Sequence, residues 1–265
     1  MTGGRAVWGA PQRTALLAIM LGSLVALSGC GSKHTVANRI PGKTLTIYSS
    51  VPLHGASNVS AQAVVAGAQI ALAEVHGRIG KYRIVLRSLD DSTAKRGTWD
   101  PVQTTVNAHE AANDDSAIGY IGEFNSGASA ISIPVLNRAG IPQISPTSTA
   151  VGLTSGTVGA APGEPAKYYP TGIRTFARVI PSDSVEAAAQ VRLQKSSGCI
   201  KTYVLDDDEF DGEDAAASFQ FAAKAGHLTC TYVASDVIGI GRRGPVPALD
   251  PSSGIGIRCC PEEAG

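Results

Sequence analysis

From residue 44 onward the sequence alternates strand-like and helix-like segments joined by short polar stretches, and this alternation constrains the fold more than any other feature. Leu45 to Ser49 reads as a strand, and Val59 to Val75 places Val64, Ala68, Ala71, Leu72 and Val75 at helical spacing. Tyr82 to Leu89 reads as a second strand, ending in Asp90-Asp91. Pro101 to Asn113 reads as a helix and Ala117 to Ile121 as a strand; Ser126 to Ala139 reads as a helix stopped by Gly140, and Ile141 to Ile144 as a fourth strand. Strands alternating with helices through short joints predict a parallel sheet covered on both faces. In such sheets ligands bind outside the carboxyl ends of the strands. The loops to inspect are therefore 50–58, 90–100, 122–126 and 145–149.

A second α/β block follows a Gly/Pro-rich stretch, Ser155 to Gly172. It holds a helix near Asp183 to Gln194, a strand Thr202 to Leu205, a helix Gly212 to Ala225 and a strand Leu228 to Val233. Thr171 to Pro181 reads as the crossing between the two blocks. The expected organisation is a first α/β lobe over 44–170 and a partial second lobe over 171–240. Two such lobes joined by a crossing suggest a hinged clamp around a small ligand.

The start of the chain reads as an address. Arg5 and Arg13 precede an apolar run, Thr14 to Leu27, that is short for a permanent span of roughly 20 residues. It has the length of a signal-peptide core. Leu27-Ser28-Gly29-Cys30 then matches a bacterial lipobox, so residues 1–29 are expected to be removed and Cys30 to be lipidated. Diacylation supplies the two chains that stable anchoring needs. Residues 30–43 read as a polar tether. The expected location is extracytoplasmic, anchored to the cell membrane.

Charge excludes one class of partner. Lys plus Arg and Asp plus Glu are both 22, so no basic excess points to nucleic acid. Five cysteines include Cys30; Cys199 and Cys230 sit at or just before strands of consecutive βαβ units. Outside the cytoplasm these two can form a disulfide; the alternative is two buried thiols. No Cys/His spacing suggests a metal, no cofactor is implied, and the acidic runs Asp90-Asp91 and Asp206-Asp207-Asp208 follow strands, where Asp commonly caps turns. Gly239 to Gly244 formally fits a dinucleotide fingerprint, but Pro245 and Pro247 follow where that motif needs a helix. No nucleophile–base set is visible, so the chain does not read as an enzyme.

Several ordered segments carry a resemblance. They are Gly122-Glu-Phe-Asn-Ser126-Gly-Ala-Ser, the run Ile133-Pro134 through Pro142-Gln-Ile-Ser-Pro146-Thr-Ser-Thr149, the early Gly55 with Gly67-Ala68, and Leu205-Asp-Asp-Asp-Glu-Phe210-Asp-Gly212. Together they resemble the leucine/isoleucine/valine-binding protein family, substrate-binding lipoproteins of ABC importers with the type I periplasmic-binding fold. The resemblance implies parallel sheets flanked by helices in two lobes, and capture of a small amino-acid-like zwitterion for delivery to a membrane permease. It further implies that Ser126 and Thr149 hold the ligand's carboxylate, that Thr147 and Ser148 line the same pocket, and that Phe210 closes over the ligand. Many relatives carry tyrosine at the position of Phe210. Independently, Ser126 opens a helix after a strand, where backbone N–H groups and the helix dipole favour an anion. On spacing alone, Ser126 as a helix cap and Ser-Pro-Thr-Ser-Thr as a polar turn remain an alternative.

From about Arg242 the pattern stops. RRGPVPALDPSSGIGIRCCPEEAG has neither strand nor helix period and contains adjacent cysteines, Cys259 and Cys260. Residues 241–265 are expected to be an irregular tail, as a shifted reading frame would produce, leaving the second lobe incomplete. Two rival readings share the clamp: a sensory lipoprotein without a permease, and a truncated fragment holding only half a site.

Overall fold

The computed structural model describes residues 42–199, 201–206, 209–234 and 255–260, with side chains from 230 onward left aside. Strand β1 (Thr44–Val51) leads through a polar loop into helix α1 (Asn58–Glu74). A two-residue strand β2 (Arg78–Ile79) pairs antiparallel with β3 (Tyr82–Asp90). Helix α2 (Pro101–Ala112), β4 (Ala117–Gly122), α3 (Ser126–Ala139), β5 (Gln143–Ser145) and β6 (Phe176–Arg178) complete the first sheet. Its order is β2-β3-β1-β4-β5-β6, parallel throughout except for β2.

The order places the reversal of direction between β1 and β4. The chain steps from β1 out to β3 and then crosses back to β4, and ligands in open α/β sheets bind at such a switch point. Right-handed crossovers put α1 on one face and α2 and α3 on the other. Tyr48, Ala111, Tyr120, Leu136 and Ile141 form the core beneath α2 and α3. Val51, Ala61 and Phe124, with Leu53, Val64 and Val65 at their margin, form the smaller core beneath the start of α1.

Local chemistry explains the helix ends. Asp100 caps α2, accepting from the backbone N–H of Val102 at 2.9 Å and of Gln103 at 3.2 Å, with Pro101 opening the helix. Gly140 ends α3 at φ 72, the left-handed conformation that favours glycine. The expected buried stripe of α1 is only partly realised. Its second half is largely exposed, with Ile70 63% accessible, because only its first turns reach the Val51–Phe124 cluster.

The segment 171–181 first adds β6 to the edge of the first sheet and then leads into α4 (Asp183–Ser196). Strand β7 (Lys201–Asp206), α5 (Phe210–Ala225) and β8 (Thr229–Ala234) follow, β7 and β8 pairing in parallel. Ala187, Val191, Val204, Ala216, Phe219 and Ala223 pack beneath them. The stretch 255–260, without period in the sequence, forms β9 (Ile255–Cys260), paired antiparallel along the other edge of β7. Strand pairing uses backbone groups and so needs no side-chain period. Cys199 is buried and disulfide-bonded; the side chain of Cys230 lies outside the described residues, as do Cys30 and the segments read as signal peptide and most of the tether. Among the described residues no helix is long and apolar enough to cross a membrane.

Burial ranks the positions. Leu136→Ala should lower unfolding free energy by about 2–5 kcal/mol in urea titrations, whereas Val102→Ala, on the exposed side of α2, should stay within about 0.5 kcal/mol.

Candidate functional site

The carboxyl ends of β1, β4 and β5 deliver Ser50, Gly122 and Ser145 to one edge of the first sheet. Gly122 has φ 140, and a Cβ there would come within 2.4 Å of the Ser50 carbonyl oxygen. Only glycine lets β4 approach β1 so closely before turning into α3.

Hydroxyl groups then tie the exit of β5 to the start of α3. Ser145 Oγ donates to the Glu123 carbonyl at 2.8 Å and accepts from the N–H of Ser148 at 2.8 Å. Thr147 Oγ1 donates to the Phe124 carbonyl. Ser148 Oγ lies 2.8 Å from Ser129 Oγ and is fully buried. Ser126 Oγ accepts from the N–H of Thr149 at 3.1 Å and of Ala150 at 3.2 Å. Arg178 closes the loop from below, donating to the carbonyls of Ser148 at 3.0 Å and Ala150 at 2.9 Å.

The structure thus brings Ser126, Thr147, Ser148 and Thr149 into one cluster. Their hydroxyls have different tasks. Those of Thr147 and Ser148 are engaged inside the framework. Ser126 uses its oxygen as an acceptor, which leaves its proton to donate.

Phe210 opens α5 in the second sheet's layer and reaches the start of α3. A Cβ added at Gly127 would lie 2.8 Å from Trp99 Cζ2 and 3.3 Å from Phe210 Cβ. The glycine therefore lets an indole and a phenylalanine converge on one helix N-terminus. Arg96 lies over the Trp99 ring, 5.8 Å from its centroid, and pairs with Glu209 at 3.0 Å.

Sequence reading missed the acidic side of this seam. Asp211 Oδ1 accepts from the N–H of Gly127 at 2.8 Å, and its Oδ2 accepts from Asn125 Nδ2 at 2.8 Å. Asp214 Oδ2 accepts from the N–H of Val151 at 3.0 Å. A carboxylate from the start of α5 is therefore seated on the N-terminal dipole of α3. The signal was present: α5 carries Asp211, Glu213 and Asp214 near its start, but nothing in the sequence gives their partners.

Beneath the seam lie two acid pairs. Burial, then the charge of Glu123 and a hydrogen bond to it, pushes Asp91 far above the usual carboxylate range. Burial raises Glu123 as well, opposed by hydrogen bonds from Ser50, Tyr120 and Asp91. The directions are consistent with one proton carried on Asp91 and donated to Glu123. Asp91 is thus not the turn cap that its sequence position suggested. Asp90 does take that role: hydrogen bonds from Ser92, Leu53 and His54 outweigh its burial and hold it low. Asp183 is likewise pushed up by burial, opposed by Thr149 and reinforced by Asp214.

Among the described residues no group of three or more His, Cys, Asp or Glu is placed to hold a metal ion. A groove of about 630 Å³ lies elsewhere, lined by Val158, Val191, Phe221 and Ala222 with Arg192 and Lys195. It lies on the helix faces of α4 and α5 and not at the carboxyl ends of the strands, so the seam is the better candidate.

No protein-family profile and no curated protein matches the sequence. Solved structures do match the fold. A leucine-binding protein from Thermotoga maritima aligns at TM-score 0.58 and 19% identity, over 72% of this chain and 49% of that one. An ABC-transporter substrate-binding protein from Desulfitobacterium hafniense in complex with Leu aligns at TM-score 0.55 and 21% identity, over 73% and 51%. A solute-binding protein from Rhodopseudomonas palustris BisB5 in complex with 3,4-dihydroxybenzoic acid aligns at TM-score 0.58 and 16% identity, over 72% and 47%. The chain therefore has the type I periplasmic solute-binding fold, as the sequence resemblance implied, and spans about half the length of these structures.

A carboxyl that keeps its proton on folding ties stability to pH. The folded state binds more protons than the unfolded one wherever Asp91 is ionised only in the latter, so stability falls as pH rises from the ordinary carboxylate range toward about 9. The slope should reach about 1.4 kcal/mol per pH unit for each proton taken up. Urea unfolding between pH 5 and 9 should show this decline, and Asp91→Asn should flatten it. An unchanged slope in the variant would remove the shared proton.

Proposed function

We propose that this chain is a substrate-binding lipoprotein of an ABC importer, holding a small carboxylate ligand at the seam between its two α/β lobes. The observation that carries the reading is the Asp211 carboxylate on the Gly127 N–H. It occupies the helix terminus, at the switch point of the sheet, where a ligand carboxylate would bind. In the ligand-bound form Ser126 donates its hydroxyl proton to that carboxylate and Thr149 adds a second contact. Phe210 and Trp99 supply apolar cover. Closure around the ligand presents a surface for a membrane permease, and no bond is made or broken.

The fold of the relatives, the lipobox at Cys30 and the disulfide at Cys199 support a place outside the cytoplasm. Cys230 is the proposed partner of Cys199. The proposed domain limits are a first lobe over 44–170 and a partial second lobe over 171–240, the second span lending β6 to the edge of the first sheet. Among the aligned structures, one is named for binding leucine, one holds Leu and one holds a dihydroxybenzoic acid. An amino-acid-like ligand, branched-chain amino acids first, is our choice.

The test is thermal unfolding of the purified full chain with leucine, benzoate and 3,4-dihydroxybenzoate. A ligand at a hundred times its Kd should add about 2.7 kcal/mol of stability. Ser126→Ala should weaken binding roughly 10- to 100-fold, the worth of one hydrogen bond to a charged group, and Thr149→Val should weaken it less. Absence of any shift with all three compounds would refute the reading.

A further inference from the structure

We propose that the groove between α4 and α5 is a second ligand site, independent of the seam, that takes a free medium-chain amphiphilic carboxylate. The two helices pack side by side. The groove they form holds about 630 Å³, within the roughly 300–1,000 Å³ of small-molecule pockets. Val191, Phe221 and Ala222 wall it, with Val158 from the loop before the Glu164-Pro165 bond. Phe221 is 54% accessible, so a large ring in apolar company is left partly uncovered. Along α4 the lining runs from Ser184 to Arg192, roughly 12 Å of helix, the length of an extended chain of about ten carbons.

Charge and hydrogen bonding select the occupant. Arg192 and Lys195 stand toward the C-terminal end of the helices, and none of the lining residues is acidic. No ion pair among the described residues uses either cation. Lys195 gives one proton to the Gly226 carbonyl and keeps its others for a ligand. A carboxylate at that end meets two cations beside apolar surface, where charged hydrogen bonds are stronger than in open water. Ser218 lies two turns earlier on α5. It is 3% accessible, and its Oγ has no hydrogen-bond partner among the described residues. A serine inside a helix ordinarily bonds to the carbonyl one turn back or faces water; this one does neither and lines the groove. Gly159 leaves it uncovered, since a Cβ there would lie 3.1 Å from Ser218 Oγ. A buried hydroxyl without a partner is costly, and a polar group on the tail of the ligand satisfies it. A second copy of the chain fits less well, because a symmetric contact brings four cations together with no lining acid to meet them.

Isothermal titration of the full chain with decanoate, ω-hydroxydecanoate and decanol tests this directly. Both acids should bind saturably, the hydroxy acid about 3- to 10-fold more tightly for its one added hydrogen bond. Decanol should bind at least about 10-fold more weakly than decanoate, having no charge for Arg192 and Lys195. Arg192→Ala should weaken both acids about 3- to 10-fold and leave any leucine affinity as in wild type. Ser218→Ala should bring ω-hydroxydecanoate down to the level of decanoate, and Ala188→Trp, at an exposed position on the groove wall, should abolish both. Excess leucine should displace neither, which separates this site from the seam. Failure of both acids to bind wild type overturns the proposal, as does displacement by leucine or unchanged binding in folded Arg192→Ala and Ala188→Trp proteins. Dimerisation in sedimentation that Ala188→Trp removes would give the groove to a second copy. Attachment to phosphatidylglycerol vesicles without binding of free decanoate would give it to a membrane surface; either result also overturns the proposal.

Discussion

The exits of β4 and β5 are held to one another by serine and threonine hydroxyls, and the geometry of the seam depends on that lacing. Ser145, Thr147 and Ser148 satisfy the backbone carbonyls of Glu123 and Phe124, while Ser126 satisfies two N–H groups of the 149–150 turn. Loops carry many backbone groups that have no ladder partner, and burying them unpaired would cost more than the loop could recover. Short hydroxyl side chains solve this without adding bulk. The result is a helix N-terminus whose position relative to the neighbouring strand is fixed to within hydrogen-bond tolerance, which a binding site requires.

The acidic residues sort into two groups by what surrounds them. Asp211 and Glu209, at the start of α5, meet a backbone N–H and a guanidinium across the seam. Asp91 and Glu123 have only each other, Tyr120 and a few hydroxyls, and burial leaves at least one of them protonated. The same residue type therefore serves as a contact across the seam and, at Asp91, as a buried carboxyl pushed toward its protonated form. Asp90 and Asp91, adjacent in sequence, fall on opposite sides of that divide.

How much of this the sequence disclosed depended on range. Helix α3 was legible at both ends, because a serine after a strand and a glycine at Gly140 are local signals. The α5–β8 pattern was legible for the same reason. Strand β2 was not: two residues between glycines leave no period to detect. At the site, the strand-exit rule pointed to loops, 90–100 among them, that meet in the structure, and the resemblance pointed to Ser126 with Thr147 to Thr149, which lie together there. It could not single out Trp99 within its loop, or match Asp211 to Gly127 across 84 positions. Such a contact depends on how two separately folded layers meet. Ser148 shows the converse limit: a hydroxyl in the right loop can point inward and serve the framework.

Trp99 has a use beyond packing. The chain contains two tryptophans, and the other, Trp8, lies in the segment read as a signal peptide. Trp99 is 7% accessible, covered at the seam by the start of α3, with Phe210 meeting the same glycine from the second lobe. Parting of the lobes would wet the indole and move its emission to the red, and a ligand that draws them together would quench that change. If the segment holding Trp8 is removed as the sequence suggests, Trp99 is the one tryptophan left, and on the proposed function its emission would report any parting of the seam in an unlabelled molecule.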